Sequence, residues 1–235
     1  MIDKFRKNNI YQIKIDTGIF GVGIKDVCFQ VYDIVNVEGG KPIVYGRYAL
    51  TYNVDQMYDG VYQSAEHVPL SQVLLLYMDF QISYNQLPGF DANYHYVKYG
   101  IIGEMPVEIK LCPMEDKTFA FVITNEADSS CKIKKRISGL DALQDLVVEH
   151  YGKELPVRLD AINHARLYEP FIPEMAKDIA DALNTYKCLS YNQVLQLLNT
   201  KAWMFDNDVR TVINYGLFNG LFKLEPNMFG CLITK

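Results

Sequence analysis

FIPEMAKDIADALNTYKCLSYNQVLQLLNTKAWMFDNDVRTVINYGLFNGLFKLEPNMFGCLITK, residues 171–235, carries three helical periods followed by two strand signals. After Pro173, the residues Met175, Ile179, Ala182 and Leu183 recur at three- and four-residue spacing, with Glu174, Lys177, Asp178 and Asp181 on the other side. Ser190 is a good N-cap for a second helix over 191–199, with Val194, Leu195, Leu197 and Leu198 apolar. A third helix starts at Asp206 or Asn207, turns Val209, Val212, Ile213 and Leu217 inward, and stops at Asn219-Gly220. Residues 221–224 and 230–234 then read as strands joined by turn chemistry at Glu225-Pro226-Asn227.

Three helices followed by a two-stranded hairpin resembles the winged-helix superfamily, a helix-turn-helix variant, over the last third of the chain. The resemblance rests on this pattern and on no signature motif. It implies that residues 206–219 form the recognition helix. With the apolar face removed, Arg210, Thr211, Asn214, Tyr215 and Asn219 face outward as candidate base readers. Lys223 follows as a phosphate contact. Charge argues for another use. The stretch holds six basic residues (Lys177, Lys187, Lys201, Arg210, Lys223, Lys235) and six acidic ones (Glu174, Asp178, Asp181, Asp206, Asp208, Glu225). DNA affinity comes mainly from neutralised phosphates. A neutral module fits protein docking better than DNA.

The whole chain has a formal charge of −5 and a pI near 5.4, which argues against a general binder of nucleic acid or anionic membrane. Its 235 residues suit one large domain or two small ones. Cys28, Cys112, Cys131, Cys188 and Cys231 are dispersed, without a CxxC pair. They read as reduced, buried thiols of a cytoplasmic protein, with no structural zinc and no cofactor. The histidines His67, His95, His150 and His164 are equally isolated. No signal-peptide core follows Met1, and the apolar run 73–78 is too short to span a bilayer, so no membrane partner is expected.

The first part of the chain reads as β. Residues 11–16 alternate, and 27–37 and 42–54 form two longer strands around the turn 38–41. The glycines of 18–23 match neither the dinucleotide fingerprint nor the P-loop and read as a β connection. Tyr45, Tyr48, Tyr52, Tyr58, Tyr62, Tyr94, Tyr96 and Tyr99 resemble a base-stacking platform, but segment 1–126 is acidic. Sheet core and protein interface are the better account. Ser71 caps an amphipathic helix carrying Val73, Leu74, Tyr77, Phe80, Ile82 and Tyr84, with a buried strand as the competing reading. Segments 94–102, 107–112, 118–124 and 131–137 form an antiparallel meander, with turns at 113–116 and 125–130. Helices follow over 140–151, stopped by Gly152, with Leu140, Leu143, Leu146, Val147 and His150 on one side, and over 159–168.

Two further constellations carry chemistry. Asp91 with Glu108-Ile109-Lys110 resembles the metal-binding core of restriction-endonuclease-like nucleases, which implies magnesium held by the carboxylates and a nucleophile oriented by Lys110. That family places a helix after the Glu-x-Lys strand, whereas two strand signals follow here. Lys132, Lys134, Lys135 and Arg136 form a basic patch. On a regular strand Lys132, Lys134 and Arg136 share one face and Ile133, Lys135 and Ile137 the other. Lysines of this kind protect a sheet edge, or touch phosphates or an acidic protein. Trp203-Met204-Phe205 reads as core between two helices.

The expected fold is α+β, with a β-rich antiparallel domain over 1–152, a helical linker over 153–172 and the winged-helix-like module over 173–235. The expected function is a non-enzymatic interaction protein that binds a protein partner or forms a homo-oligomer. Tyrosine- and asparagine-rich acidic composition suits an accessory protein of a phage or mobile element. The alternatives are a DNA-binding regulator, with the 132–136 patch on phosphate, and a metal-dependent nuclease.

Overall fold

The computed structural model describes residues 5–16, 24–38, 40–49, 57–62, 65–102, 105–124, 131–200, 206–225 and 231–234. The glycine-rich connection 18–23, Tyr52, the turn 125–130, the 203–205 aromatic stretch and Pro226-Asn227 lie outside the described residues. The protein is α+β, and it divides into two compact units: residues 1–71 with 78–164, and residues 72–77 with 165–235.

In the N-terminal unit, β1 (Ile10–Asp16), β2 (Ile24–Val35), β3 (Ile43–Ala49) and β4 (Met57–Tyr62) form an antiparallel meander. The two-residue β5 (Glu66–His67) joins the other side of β1. The register pairs Tyr11 with Phe29, Phe29 with Tyr48 and Val44 with Tyr62, so period-two side chains meet on one face. There they bury a cluster that includes Ile13, Val27 and Val31. Tyr48 and Tyr62 are therefore sheet core. Tyr45 lies on the opposite face, with its ring 6.4 Å from that of Tyr32, over which the Arg47 guanidinium sits at 5.3 Å. These tyrosines do not share an outward platform.

The expected helix running past Tyr77 is shorter than its periodicity suggests. α1 covers Gln72–Tyr77 and belongs to the C-terminal unit. Asp79 takes a left-handed φ of 62°, and Lys98 Nζ donates to the Met78 carbonyl at 2.5 Å. The chain then straightens into β6 (Gln81–Ser83), paired with the next strand. Apolar spacing of three and four carried across this break because Phe80 and Ile82 alternate as the chain enters β6 while Val73 and Leu74 lie in the helix.

β6 edges a second meander with β7 (His95–Ile102), β8 (Met105–Pro113), β9 (Phe119–Thr124) and β10 (Cys131–Ile137), in the order β10-β9-β8-β7-β6. Tyr96, Ile109, Leu111 and Phe121 are fully buried on one face. Cys112, Ala120 and Val122 pack on the other beneath Leu87 and Phe90.

α2 (Leu140–Tyr151) ends at Gly152, whose φ of 68° is the left-handed stop its sequence suggests. Leu140, Leu143, Leu146 and Val147 are buried, but His150 is exposed, edge-on to Phe121 at 6.3 Å. Its polar groups latch onto β1 where β5 runs out of residues. Gln144 Oε1 accepts from the Ile10 amide at 2.9 Å and its Nε2 donates to the Asn8 carbonyl at 3.3 Å. Asn9 Nδ2 donates to Asp145 at 2.8 Å. α3 (Leu159–Tyr168) contributes Asn163, whose Oδ1 accepts from the Cys28 amide at 3.3 Å.

The C-terminal unit runs α4 (Ile172–Tyr186), β11 (Cys188–Ser190), α5 (Tyr191–Asn199), α6 (Asp206–Phe218), β12 (Phe222–Leu224) and β13 (Cys231–Thr234). Pro173 opens α4, where its missing N–H costs nothing. Met175, Ile179 and Leu183 join Val194, Leu198, Val209, Val212 and Phe222 in one core. Ser190 caps α5 in a reciprocal capping box with Gln193. Ser190→Ala is expected to lower the unit's stability by about 1 kcal/mol, read as a shift in urea midpoint at constant m. Gly220 has a φ of 64° after α6. β11 is an addition to the expected hairpin. It pairs with β13, which pairs with β12, giving the order β11-β13-β12. Three residues leading into a strong N-cap signal helix entry more loudly than a strand.

Among the described residues, no helix is long and apolar enough to cross a membrane.

Candidate functional site

In the C-terminal unit, a cleft of about 570 Å³ opens between α6, the start of α5 and the small sheet, lined by Ser190, Tyr191, Asn192, Arg210, Ile213, Asn214, Leu224 and Leu232. Helical spacing explains two of these: Arg210 and Asn214 stand four apart on one side of α6. Strand alternation explains two more. Phe222 is buried under α6, while Leu232 lies opposite Leu224 in the β12–β13 register. Leu224 is 53% exposed, a large apolar side chain presented at the cleft.

Arg210 is the cation of this lining, and it is already engaged. Its Nε donates to Asp206 Oδ2 at 2.8 Å, one helical turn earlier. The Tyr191 hydroxyl donates to the same carboxylate. That hydroxyl's bond and the arginine hold the Asp206 carboxyl below its ordinary range, while Asp206 raises the guanidinium. Burial, then the bond to Asp206, pushes the Tyr191 phenol up to about 12. The result is a neutral, hydrogen-bonded triad at the mouth of the cleft.

The outward-facing set on α6 divides. Arg210 and Asn214 line the cleft. Thr211 does not face out: it is buried, because it follows the buried Asp208 by three residues and turns with it toward the core. Tyr215 packs half-buried against the core cluster. Asn219 is exposed, but its Nδ2 donates to the Tyr215 carbonyl at 2.8 Å and so closes the helix end. Lys223 is exposed on β12.

The basic strand β10 sits at the edge of its sheet, with all four cations exposed. Its alternation breaks at a bulge between Ile133 and Lys135. Lys135 opposes Phe121 and Lys132 opposes Ile123, so these two lysines and Ile137 share one face and Arg136 lies on the other. The expected grouping of Lys132, Lys134 and Arg136 is thus undone by the extra residue. Lys134 pairs with Glu149 at 3.5 Å and Arg136 with Asp116 at 3.6 Å.

In the N-terminal unit, Lys110 Nζ lies 2.7 Å from Glu108 Oε2 on β8. Asp91 is exposed in the loop between β6 and β7. Among the described residues, no group of three His, Cys, Asp or Glu side chains is placed to hold a metal ion. His95, which spacing alone did not connect to this pattern, is buried and within electrostatic reach of Glu108 and Lys110. Its Nδ1 meets the Asn85 carbonyl at 3.0 Å, a contact that places the proton on Nδ1. Burial, then the charge of Lys110, lowers its pKa.

The residues that sequence reasoning missed at the cleft are Asp206, Tyr191 and Leu224. The four-residue spacing of Asp206 and Arg210 was a usable signal for the pair. Tyr191 needed the tertiary fold. Comparison with protein-family models, curated proteins and solved structures found no match to the chain.

Proposed function

We propose that the protein is a non-enzymatic interaction protein whose C-terminal unit is a winged-helix module that docks a protein segment. Support for the module comes from the order of α4, α5 and α6 followed by the β12–β13 hairpin. The observation that carries the docking reading is the state of Arg210. A guanidinium hydrogen-bonded to Asp206 and flanked by Leu224, Ile213 and Asn214 offers mixed polar and apolar recognition rather than free positive charge. A base reader can keep that ion pair, because only Nε is engaged, but the Asp206 carboxylate cancels the positive charge that phosphate contacts draw on. A peptide needs no net positive charge: its apolar side chain covers Leu224 and its backbone meets Asn192 and Asn214. The dispersed cysteines suit a cytoplasmic setting for such a protein.

The test is panning of a random peptide library on the full chain, followed by anisotropy with the selected peptides. Micromolar binding that falls at least tenfold in Leu224→Asp is the expected result. Peptides that bind Leu224→Asp equally well would overturn the docking site. Duplex and single-stranded DNA at about 50 mM and about 200 mM salt form the opposing arm. Binding that drops on the order of a thousandfold across that range, and is lost in Arg210→Ala with Lys223→Ala, would establish the DNA-binding alternative instead.

A further inference from the structure

Cys188 and Cys231 stand 43 positions apart in the sequence, yet β11 and β13 bring them together. The register pairs Ser190 with Cys231 and Cys188 with Ile233. Alternate residues of a strand point the same way, so both cysteines lie on one face as diagonal neighbours across two hydrogen-bonded strands. Their thiols share a side-chain hydrogen bond. Both side chains are half-buried and free, whereas Cys28 and Cys112 are fully buried. The pair is therefore the accessible dithiol among the cysteines whose side chains are described.

We infer that Cys188 and Cys231 form a reversible modification site that a low-molecular-weight disulfide such as glutathione disulfide converts into a cross-strand disulfide. One protein thiolate attacks a glutathione sulfur, forming a mixed disulfide and releasing one glutathione thiolate. The neighbouring protein thiolate then attacks the modified cysteine sulfur. That step forms the Cys188–Cys231 bond, breaks the bond to glutathione and expels the second glutathione. The protein loses two electrons and two protons, and one glutathione disulfide becomes two glutathiones. The second attack is intramolecular, between groups already in contact, so the mixed disulfide is short-lived relative to bridge formation.

Burial, then the hydrogen bond to Cys231 and the charge of Glu225, pushes the Cys188 thiol up. The site is thus slow to oxidise at neutral pH, which suits a bridge that forms under sustained oxidising conditions. Once formed, it ties the entry of α5 to the C-terminal strand and closes a loop containing α5, α6 and β12. A closed loop of that length restricts the unfolded chain and raises thermal stability.

The experiment equilibrates the full-length protein in buffers of increasing glutathione disulfide, blocks remaining thiols by alkylation and maps tryptic peptides by mass. Cleavage after Lys187, Lys201 and Lys223 places each cysteine in its own peptide. The expected product is peptide 188–201 joined to peptide 224–235, with loss of two alkylatable thiols. A rise in Tm of roughly 10 °C accompanies it and reverses with dithiothreitol. Cys188→Ser and Cys231→Ser each abolish the rise. Stable glutathionylation of either cysteine without the joined peptide would overturn the inference, as would joining to a different cysteine or two thiols that stay alkylatable throughout. Because the peptide map is read on the unmutated protein, the outcome does not depend on how well the serine variants fold.

Discussion

Gly216→Ala is expected to destabilise the C-terminal unit by about 2–3 kcal/mol, although alanine is the better helix former. Gly216 lies inside α6. Relief of the glycine penalty in a helix is worth up to about 1 kcal/mol in the stabilising direction. Against that, a β-carbon at this position would stand on the ring of Phe222, meeting Cζ, Cε1 and Cε2, the last at 2.9 Å. Phe222 is 2% exposed and belongs to the core that gathers Ile179, Val194 and Val212. Overpacking of this kind costs about 1–3 kcal/mol, and partial expulsion of a phenylalanine adds roughly 1.5–3 kcal/mol. The steric cost outweighs the propensity gain. The measurement is a urea titration followed by fluorescence of Trp203, the chain's single tryptophan. A second variant, Gly216→Ala with Phe222→Leu, should recover part of the loss because the smaller side chain yields the space. An unchanged or raised midpoint for the single variant would mean that Phe222 shifts freely and that the close approach of α6 and β12 is not needed. Since Leu224 follows Phe222 on the same short strand, the single variant should also weaken any peptide that the cleft binds.

Gln144→Leu is expected to destabilise the N-terminal unit by about 1–3 kcal/mol, more than removal of the charged contacts beside it. The side chain of Gln144 is buried and supplies what a neighbouring strand would have supplied to β1: an acceptor for the Ile10 amide and a donor for the Asn8 carbonyl. Leucine matches its size but leaves the buried Ile10 amide without that acceptor, while the Asn8 carbonyl keeps Gln30 Nε2 at 3.3 Å. A buried polar group left without its partner costs about 1–3 kcal/mol. By contrast, Arg6 reaches Asp145 at 3.1 Å and Glu154 at 3.0 Å, with both carboxylates well exposed. Arg6→Ala should cost less than about 1 kcal/mol, because exposed ion pairs are screened and entropically expensive to hold. Urea unfolding followed by circular dichroism ranks the two. Equal effects, or a larger one for Arg6→Ala, would mean that the helix is held to β1 by charge rather than by the buried amide.

The parts of the fold legible in the sequence are those in which one local period runs uninterrupted. α2, α3, α5, α6 and the second meander appear in the chain as repeats of three-four or two, and Gly152 and Gly220 mark the stops of α2 and α6 with a left-handed backbone. Reading failed where two periods met. Across Asp79 a helix gives way to a strand without any change in apolar density, and at Lys134 one extra residue exchanges the faces of a strand. Short elements such as β5 and β11 carry too few residues for a period and exist because longer strands offer them unpaired N–H and C=O groups.

The candidate cleft divides along the same line. The apolar face of α6, the Ser190 cap and the neutral charge of the last third follow from residue order alone, because each depends on neighbours within a turn or on a sum. Tertiary structure alone decides that Thr211 turns inward, that Tyr191 reaches Asp206, that Phe222 lies against Gly216 and that Cys188 meets Cys231. These arrangements depend on contacts that cross from one element to another. They are set by how the elements of this unit pack, and no local propensity encodes them.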